Sequence, residues 1–484
     1  MEVLSIAQQI DAVFLFGCST LLMFIILGIG LFYSGLTQRK SALSQISLPL
    51  IISCIIFVEW VFIGYTLCYS TTASNRYIGN FHNVGLRYLT SSVVEIEGEL
   101  RVPAYIHVLF EGLFCCITGS LAFGCIAERG RFKPLFLFII IWCIIIYYPV
   151  SYWHWNEKGW LKLDLNIMDF AGGDPVHLLS GSTSLCYSLK LGKRSYNSVT
   201  KNYRNSNTGL ILIGTFLMII GWLGFNGGCS YHMSFQTLII LINTLTSCFI
   251  AGFTWFLLDY YYNRNFSIIG LCSGCVAGLV VITPSAGFVN FWSSFVIGFI
   301  GGLVCNFATG LKFLLKIDDC LDIFAIHGCG GFVGSLLTGL FADKNIAQLG
   351  VVDIKGGWIS HRYIALLYQF IGSIVTLCYC FSMSFIFLTI IDKIPGLSLK
   401  LQDEDTLLKG CDEYEFGNEY INDYVEFVRI LEPGDFLSDS AADDHEVENI
   451  ELNKLYNSNS TTGNENNIVD NGVNAPNGTN SANT

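Results

Sequence analysis

Long apolar runs joined by short polar segments fill the chain to about residue 393, and then stop. A helix crossing ~30 Å of hydrocarbon needs ~20 mostly apolar residues. Eleven stretches fit: 12–34, 46–69, 104–126, 134–153, 171–190, 207–228, 236–260, 268–284, 289–313, 322–341 and 363–391. The pattern predicts an all-α polytopic membrane protein with eleven transmembrane helices over residues 1–393. The first stretch begins at Asp11 without a basic segment ahead of it. It is too long for the core of a signal peptide and is read as a retained span.

Composition agrees. The chain is 52% hydrophobic and 13% charged, against roughly 25% charge in soluble domains. The net charge of −12 belongs largely to the tail, since about half the acids follow Lys393. Most of the 18 cysteines lie in apolar runs, where cysteine packs as a small hydrophobe; Cys272 and Cys275 are read the same way. Basic residues after spans 1, 3, 5, 7 and 9, from Arg39 and Lys40 to Lys312 and Lys316, mark one side as cytoplasmic. The N-terminus is then outside and the C-terminus inside. Spans 1–5 and 6–10 form a 5+5 inverted repeat with a final helix added, a common transporter plan. Gly28, Phe32 and Gly35 of span 1 match Gly221, Phe225 and Gly228 of span 6. The glycine clusters suit close helix packing in lipid.

Two polar insertions break the apolar pattern. "DFAGGDPVHLLSG" (169–181) opens span 5, and "DIFAIHGCGG" (322–331) opens span 10. Each places an acid ahead of a histidine: Asp169 and Asp174 before His177, and Asp322 before His327. An ionisable group inside the membrane is a functional candidate by default. A pseudo-two-fold axis would bring the histidines together near the midplane. Two neutral imidazoles can share one N–H···N bond and still offer polar edges to a small guest. Zinc needs about four ligands, and neighbouring spans supply no third or fourth, so no metal and no cofactor is expected.

These segments, with "GLFYSGLTQRKSAL", "AERGRFKP", "GFNGG" and "DDCLDIFAIHGCGGFVGSLLTGLFA", occur in an order that resembles the ammonium transporter/methylammonium permease/Rhesus family, in its fungal methylammonium-permease branch. The resemblance runs from about Asp11 to Glu426. It implies a plasma-membrane homotrimer with one pore per subunit, carrying ammonium or methylammonium, and neither an enzyme nor a nucleic-acid binder. It places Trp155, Phe114, Cys229 and Asp169 in ammonium recruitment, Phe114 and Phe225 in a stacked gate, and His177 and His327 in the pore as a proton relay. Whether net NH4+ or neutral NH3 crosses stays open.

Several positions depart from the family. Cys229 stands where a serine is usual and is a weaker hydrogen-bond partner, or merely packs. Glu111 stands where many members have Gln. It either attracts cations or is hydrogen-bonded within the bundle. Asp174, followed by Pro175, either caps span 5 or acts on His177 three residues away. Residues 394–431 resemble the family's cytoplasmic region that docks on the pore mouths, with Gly417 and Asn418 in place of Gly-Glu. Residues 432–484 have a disordered, regulatory composition. There, Ser438 and Ser440 are either sites for a regulatory kinase or part of a solvated acidic linker. Three function classes follow: an ammonium transporter, an ammonium sensor with incidental transport, and a Rhesus-type gas channel. Trp155 argues against the last.

Overall fold

A computed structural model describes residues 4–96, 100–194, 205–350, 352–402, 407 and 410–417. Ser438, Ser440, Asn418 and the 432–484 tail lie outside these. All eleven apolar stretches are helical. They are α1 (Ile6–Leu36), α2 (Arg39–Tyr69), α3 (Ala104–Ile126), α4 (Phe132–Leu165), α5 (Gly173–Leu178 running into Leu179–Leu191), α6 (Thr208–Gly228), α7 (Phe235–Asn263), α8 (Ile268–Ile282), α9 (Phe291–Leu314), α10 (Phe324–Phe341) and α11 (Ile364–Asp392). Among the described residues, nine are long and apolar enough to cross a membrane; the other two are α5 and α8. α8 has 15 residues. α5 buries a run of hydroxyls, among them Ser180, Ser182, Thr183 and Ser184.

The fold is not purely helical. Val93–Ile96 and Leu100–Pro103 pair antiparallel in the α2–α3 connection, where β-branched and polar residues alternate.

Small residues set the helix crossings. α1 and α6 run in opposite directions along a glycine seam. Gly35 faces the carbonyl of Asn207, Gly28 that of Gly214, and Gly221 that of Leu21. A Cβ on Gly28 would sit 2.8 Å from the Gly214 oxygen, so only glycine allows this approach. α5 and α10 also cross antiparallel: a Cβ on Gly181 would lie 2.2 Å from the Gly328 nitrogen, and one on Gly331 2.6 Å from the Gly173 oxygen. Both helices begin with a π-helical turn, Gly173–Leu178 and Phe324–Cys329. These turns carry His177 and His327, and single π-turns often mark functional positions.

After α11 the chain returns to the starts of two other helices. Leu399 and Leu401 bond to the backbone of Arg131 and Arg129, and a short helix, α12 (Cys411–Phe416), follows. Asp412 accepts the N–H groups of Leu43 (2.9 Å) and Ser44 (2.7 Å) and the Ser44 hydroxyl. Glu415 accepts the N–H of Phe132 at 2.9 Å. Neither helix start has a side-chain cap of its own. Acids from α12 therefore fill the N-terminal donors of α2 and α4.

Candidate functional site

Five rings form a file between the helices. Trp155, at the end of the helical run Tyr148–Trp155 within α4, meets Phe114 of α3 edge-on at 6.1 Å between centroids. Phe114 stacks on Phe225 of α6 at 4.1 Å and 20°. Phe225 lies 6.2 Å from the His177 ring, and His177 lies 5.4 Å from His327. Stacked at van der Waals separation, the two phenylalanines leave no gap between their faces.

The histidines are buried, and their Nδ1 atoms are 3.3 Å apart. One must donate and the other accept, so the contact holds a single proton between neutral rings. Trp222 stacks on His177 at 5.3 Å and 15°, and its indole N–H donates to Thr283 at 3.0 Å. This fixes the His177 ring plane. Nε2 of His177 is buried with no hydrogen-bond partner among the described residues.

Asp169 bonds to the backbone at the start of α5. Its Oδ1 accepts the N–H groups of Gly172 and Gly173, and its Oδ2 that of Asp174, all at 2.7 Å. It thus caps the turn that bears His177. Gly172, at φ +108°, packs against the Trp155 ring. Trp155 and His177 therefore share one scaffold.

Two expectations change here, those for Asp174 and Asp322. Asp174 neither caps α5 nor faces His177, because Asp169 already fills the cap. Asp174 is fully buried and turns to Ser335 of α10, Ser373 of α11 and His154 of α4. Asp322 is not the counterpart of Asp169. It adopts φ +54° and pairs with Lys312 at 2.8 Å. Asp319 takes that place, since its Oδ2 accepts the Phe324 N–H at 2.9 Å. Asp169 and Asp319 each stand eight residues before a histidine, a spacing visible in the sequence but unused. Glu111 is buried and accepts from the hydroxyls of Tyr69 (2.5 Å) and Tyr231 (2.7 Å). These are the hydrogen bonds within the bundle that one of its two readings expects. Cys229 donates to the Phe225 carbonyl at 3.3 Å, which turns its thiol toward its own helix.

The His327 end is ionic. Lys312, Asp319, Asp322 and Phe324 line a small cavity. Beside it Arg194 reaches Asp318 (2.8 Å) and Glu128 (2.7 Å). Burial works against ionising Asp318, but hydrogen bonds from Arg194 and the charges of Arg194 and Arg129 outweigh it and hold its carboxyl below the usual range. Burial and the charge of Asp322 push Asp319 up to about 6.

Among the described residues, one trio could hold a metal ion: His154, Asp169 and Asp174. Its carboxylates already accept from three backbone N–H groups and two serines, and Asp174 also meets the His154 imidazole. Trp222, His154 and Asp319 escaped the sequence reading. Only Asp319 left a signal, its spacing.

The sequence profile described as Ammonium Transporter Family matches residues 13–420. Ammonium transporter 1 of Schizosaccharomyces pombe is 42% identical over 402 residues, covering 82% of this chain and 80% of its own. The crystal structure of Saccharomyces cerevisiae Mep2 superposes with a TM-score of 0.78 at 35% identity, covering 87% of this chain and 95% of that one. A structure titled Sensor Amt Protein reaches 0.75 at 25% identity, covering 85% and 99%. With the apolar helices, the antiparallel crossings and the paired histidines, these likenesses lead to one conclusion: the chain belongs to the Ammonium Transporter Family, multi-pass membrane proteins that are transporters and not enzymes.

Proposed function

We propose that this chain recruits NH4+ at an aromatic outer mouth, deprotonates it, and conducts NH3 through a narrow apolar pore past His177 and His327. The observation that carries it is the file of rings ending in two imidazoles 3.3 Å apart. Trp155 and Phe114 offer ring faces to a cation, each returning ~0.5–2 kcal/mol, far less than full dehydration costs. The passage beneath therefore favours the neutral molecule, because burying a charge is much costlier than burying an amine. Potassium cannot shed a proton and is excluded. The one-proton His177–His327 contact is suited to pass the released proton separately, giving net NH4+ transfer. Phe114 and Phe225 act as the gate. Asp169 acts from behind by holding the turn, and Cys229 packs beside it.

The supporting architecture has eleven spans with N outside and C inside. Asp169–His177 and Asp319–His327 are equivalent parts of a 5+5 inverted repeat. The protein works as a homotrimer in the plasma membrane. Residues 394–431 serve as the cytoplasmic docking region, as the contacts of Asp412 and Glu415 with two helix starts support, and 432–484 serves as a regulatory tail with Ser438 and Ser440 as kinase sites. A sensing role is the second reading. It is favoured by the likeness to the structure titled Sensor Amt Protein and by retention of His177.

Ammonium-evoked current, recorded for the wild type beside His177→Ala and His327→Ala, tests the mechanism. Each variant should lose the current or lose its discrimination against potassium. Wild-type current and selectivity in both would remove the histidines from the pathway.

A further inference from the structure

His154 and Asp174 belong to none of the steps above. Both side chains have 0% exposure. The Nδ1 of His154 lies 3.0 Å from the carbonyl oxygen of Val150. A carbonyl can only accept, so Nδ1 carries a proton. Nε2 lies 3.4 Å from Oδ2 of Asp174. That contact then needs one proton, on the imidazole or on the acid, and in either case the pair is neutral overall. Ser335 and Ser373 donate to Oδ1 of Asp174 at 2.8 and 2.9 Å, and Ser373 also lies 3.1 Å from Oδ2. The titratable groups around the couple are Asp169, from the turn that opens α5, and Cys380 of α11.

The couple's position gives it a use. His154 directly precedes Trp155, and Asp174 stands three residues before His177. Ser335 lies on the helix that carries His327, and Ser373 belongs to α11. One buried carboxylate therefore ties four helices, three of which carry rings of the file. A buried polar group is costly when its partner is removed, and far less so when both partners are replaced together.

We propose that His154 and Asp174 form a one-proton positioning couple that locks the Trp155 wall of the outer mouth to the helices bearing His177 and His327. The couple touches neither substrate nor the path. It fixes where the recruiting ring stands relative to the imidazoles. The proposal rests on the site reading above.

A double-mutant cycle tests it. Methylammonium uptake is measured in cells lacking their own permeases and is normalised to the protein in the membrane fraction. His154→Gln and Asp174→Asn should each lower uptake ~10-fold or more, because each strands a buried partner. Much of the loss should fall in apparent KM, and the pH profile should change. The double variant, with neutral partners on both sides, should return to within ~3-fold of the wild type. Losses that multiply in the double variant, or single variants with wild-type uptake and pH profile, would overturn the couple. If the single variants do not reach the membrane, Ser373→Ala keeps both members and removes one donor. A fall of ~3-fold is then expected, and wild-type uptake counts against the couple. His177→Ala in the same assay keeps the two ideas apart: normal transport there sinks the site reading, whatever the cycle gives.

Discussion

Asp169 and Asp319 each stand eight residues before a histidine and each accept the backbone N–H five residues on, yet their surroundings differ. Around Asp169 lie aromatic rings, two glycines and a buried neutral couple. Around Asp319 lie Lys312, Asp322 and the Arg194–Asp318–Glu128 cluster. The two helix starts share a device for holding an imidazole and are finished for different tasks. Under the proposed function, the Asp169 end strips water from a cation, and a lining of rings suits that task. The Asp319 end is pinned by ion pairs. The position equivalent to Asp174 is Phe324, so the extra acid stands only at the start that is proposed to carry the recruiting wall.

The caps should break this comparison most sharply. Asp169→Ala strands three backbone donors, each costing ~1–3 kcal/mol when buried, and Asp319→Ala strands fewer. Methylammonium uptake should fall ~100-fold or more in the first and ~10-fold in the second. Equal losses would mean that the two starts carry the same load.

Arg194→Gln comes next. It removes the cation that bridges Asp318 and Glu128 in a part-buried site, where breaking such a pair costs up to ~3–5 kcal/mol. Thermal unfolding in detergent should report a clear loss of stability, with methylammonium selectivity retained by the folded fraction. A change in selectivity would show that the ionic end also discriminates.

Acid should act on the same cluster. The folded Asp318 has its carboxyl held below the usual range. Its stabilising contribution is therefore complete above the ordinary Asp value of ~3.9 and is lost as pH falls through the lower folded value. Melting temperature should drop along that limb in the wild type and more weakly in Asp318→Asn. The same limb in both would assign the acid sensitivity elsewhere.

The smallest effect belongs to Cys229. Replacing the thiol by a hydroxyl, Cys229→Ser, adds a stronger hydrogen-bonding group near the outer ring. Apparent KM for methylammonium should fall ~2–3-fold with little change in maximal uptake. No change would leave Cys229 as packing.

Periodicity made the helices legible, because lipid leaves a spanning segment little choice but a long apolar helix. Local motifs made the rings and His177 and His327 legible, since each sits in a short stretch of distinctive composition. Asp319 is legible only through its spacing, which the nearer acid Asp322 obscures. The role of Asp174 is not legible, because its partners come from 20, 161 and 199 residues away. Nothing in the local sequence says which way a buried carboxylate turns.

By itself the sequence determined that the chain is a multi-pass helical protein, that glycines would seam its helices, and that two histidines interrupt its apolar spans. Those properties follow from hydrophobicity and side-chain size, which each residue carries wherever it is placed. Only the tertiary structure decided that the imidazoles meet Nδ1 to Nδ1, that Asp169 rather than Asp174 caps the His177 turn, and that His154 supplies Asp174 with a partner. Such facts depend on the angles and registers at which helices cross, and these are fixed by the packing of the whole bundle at once.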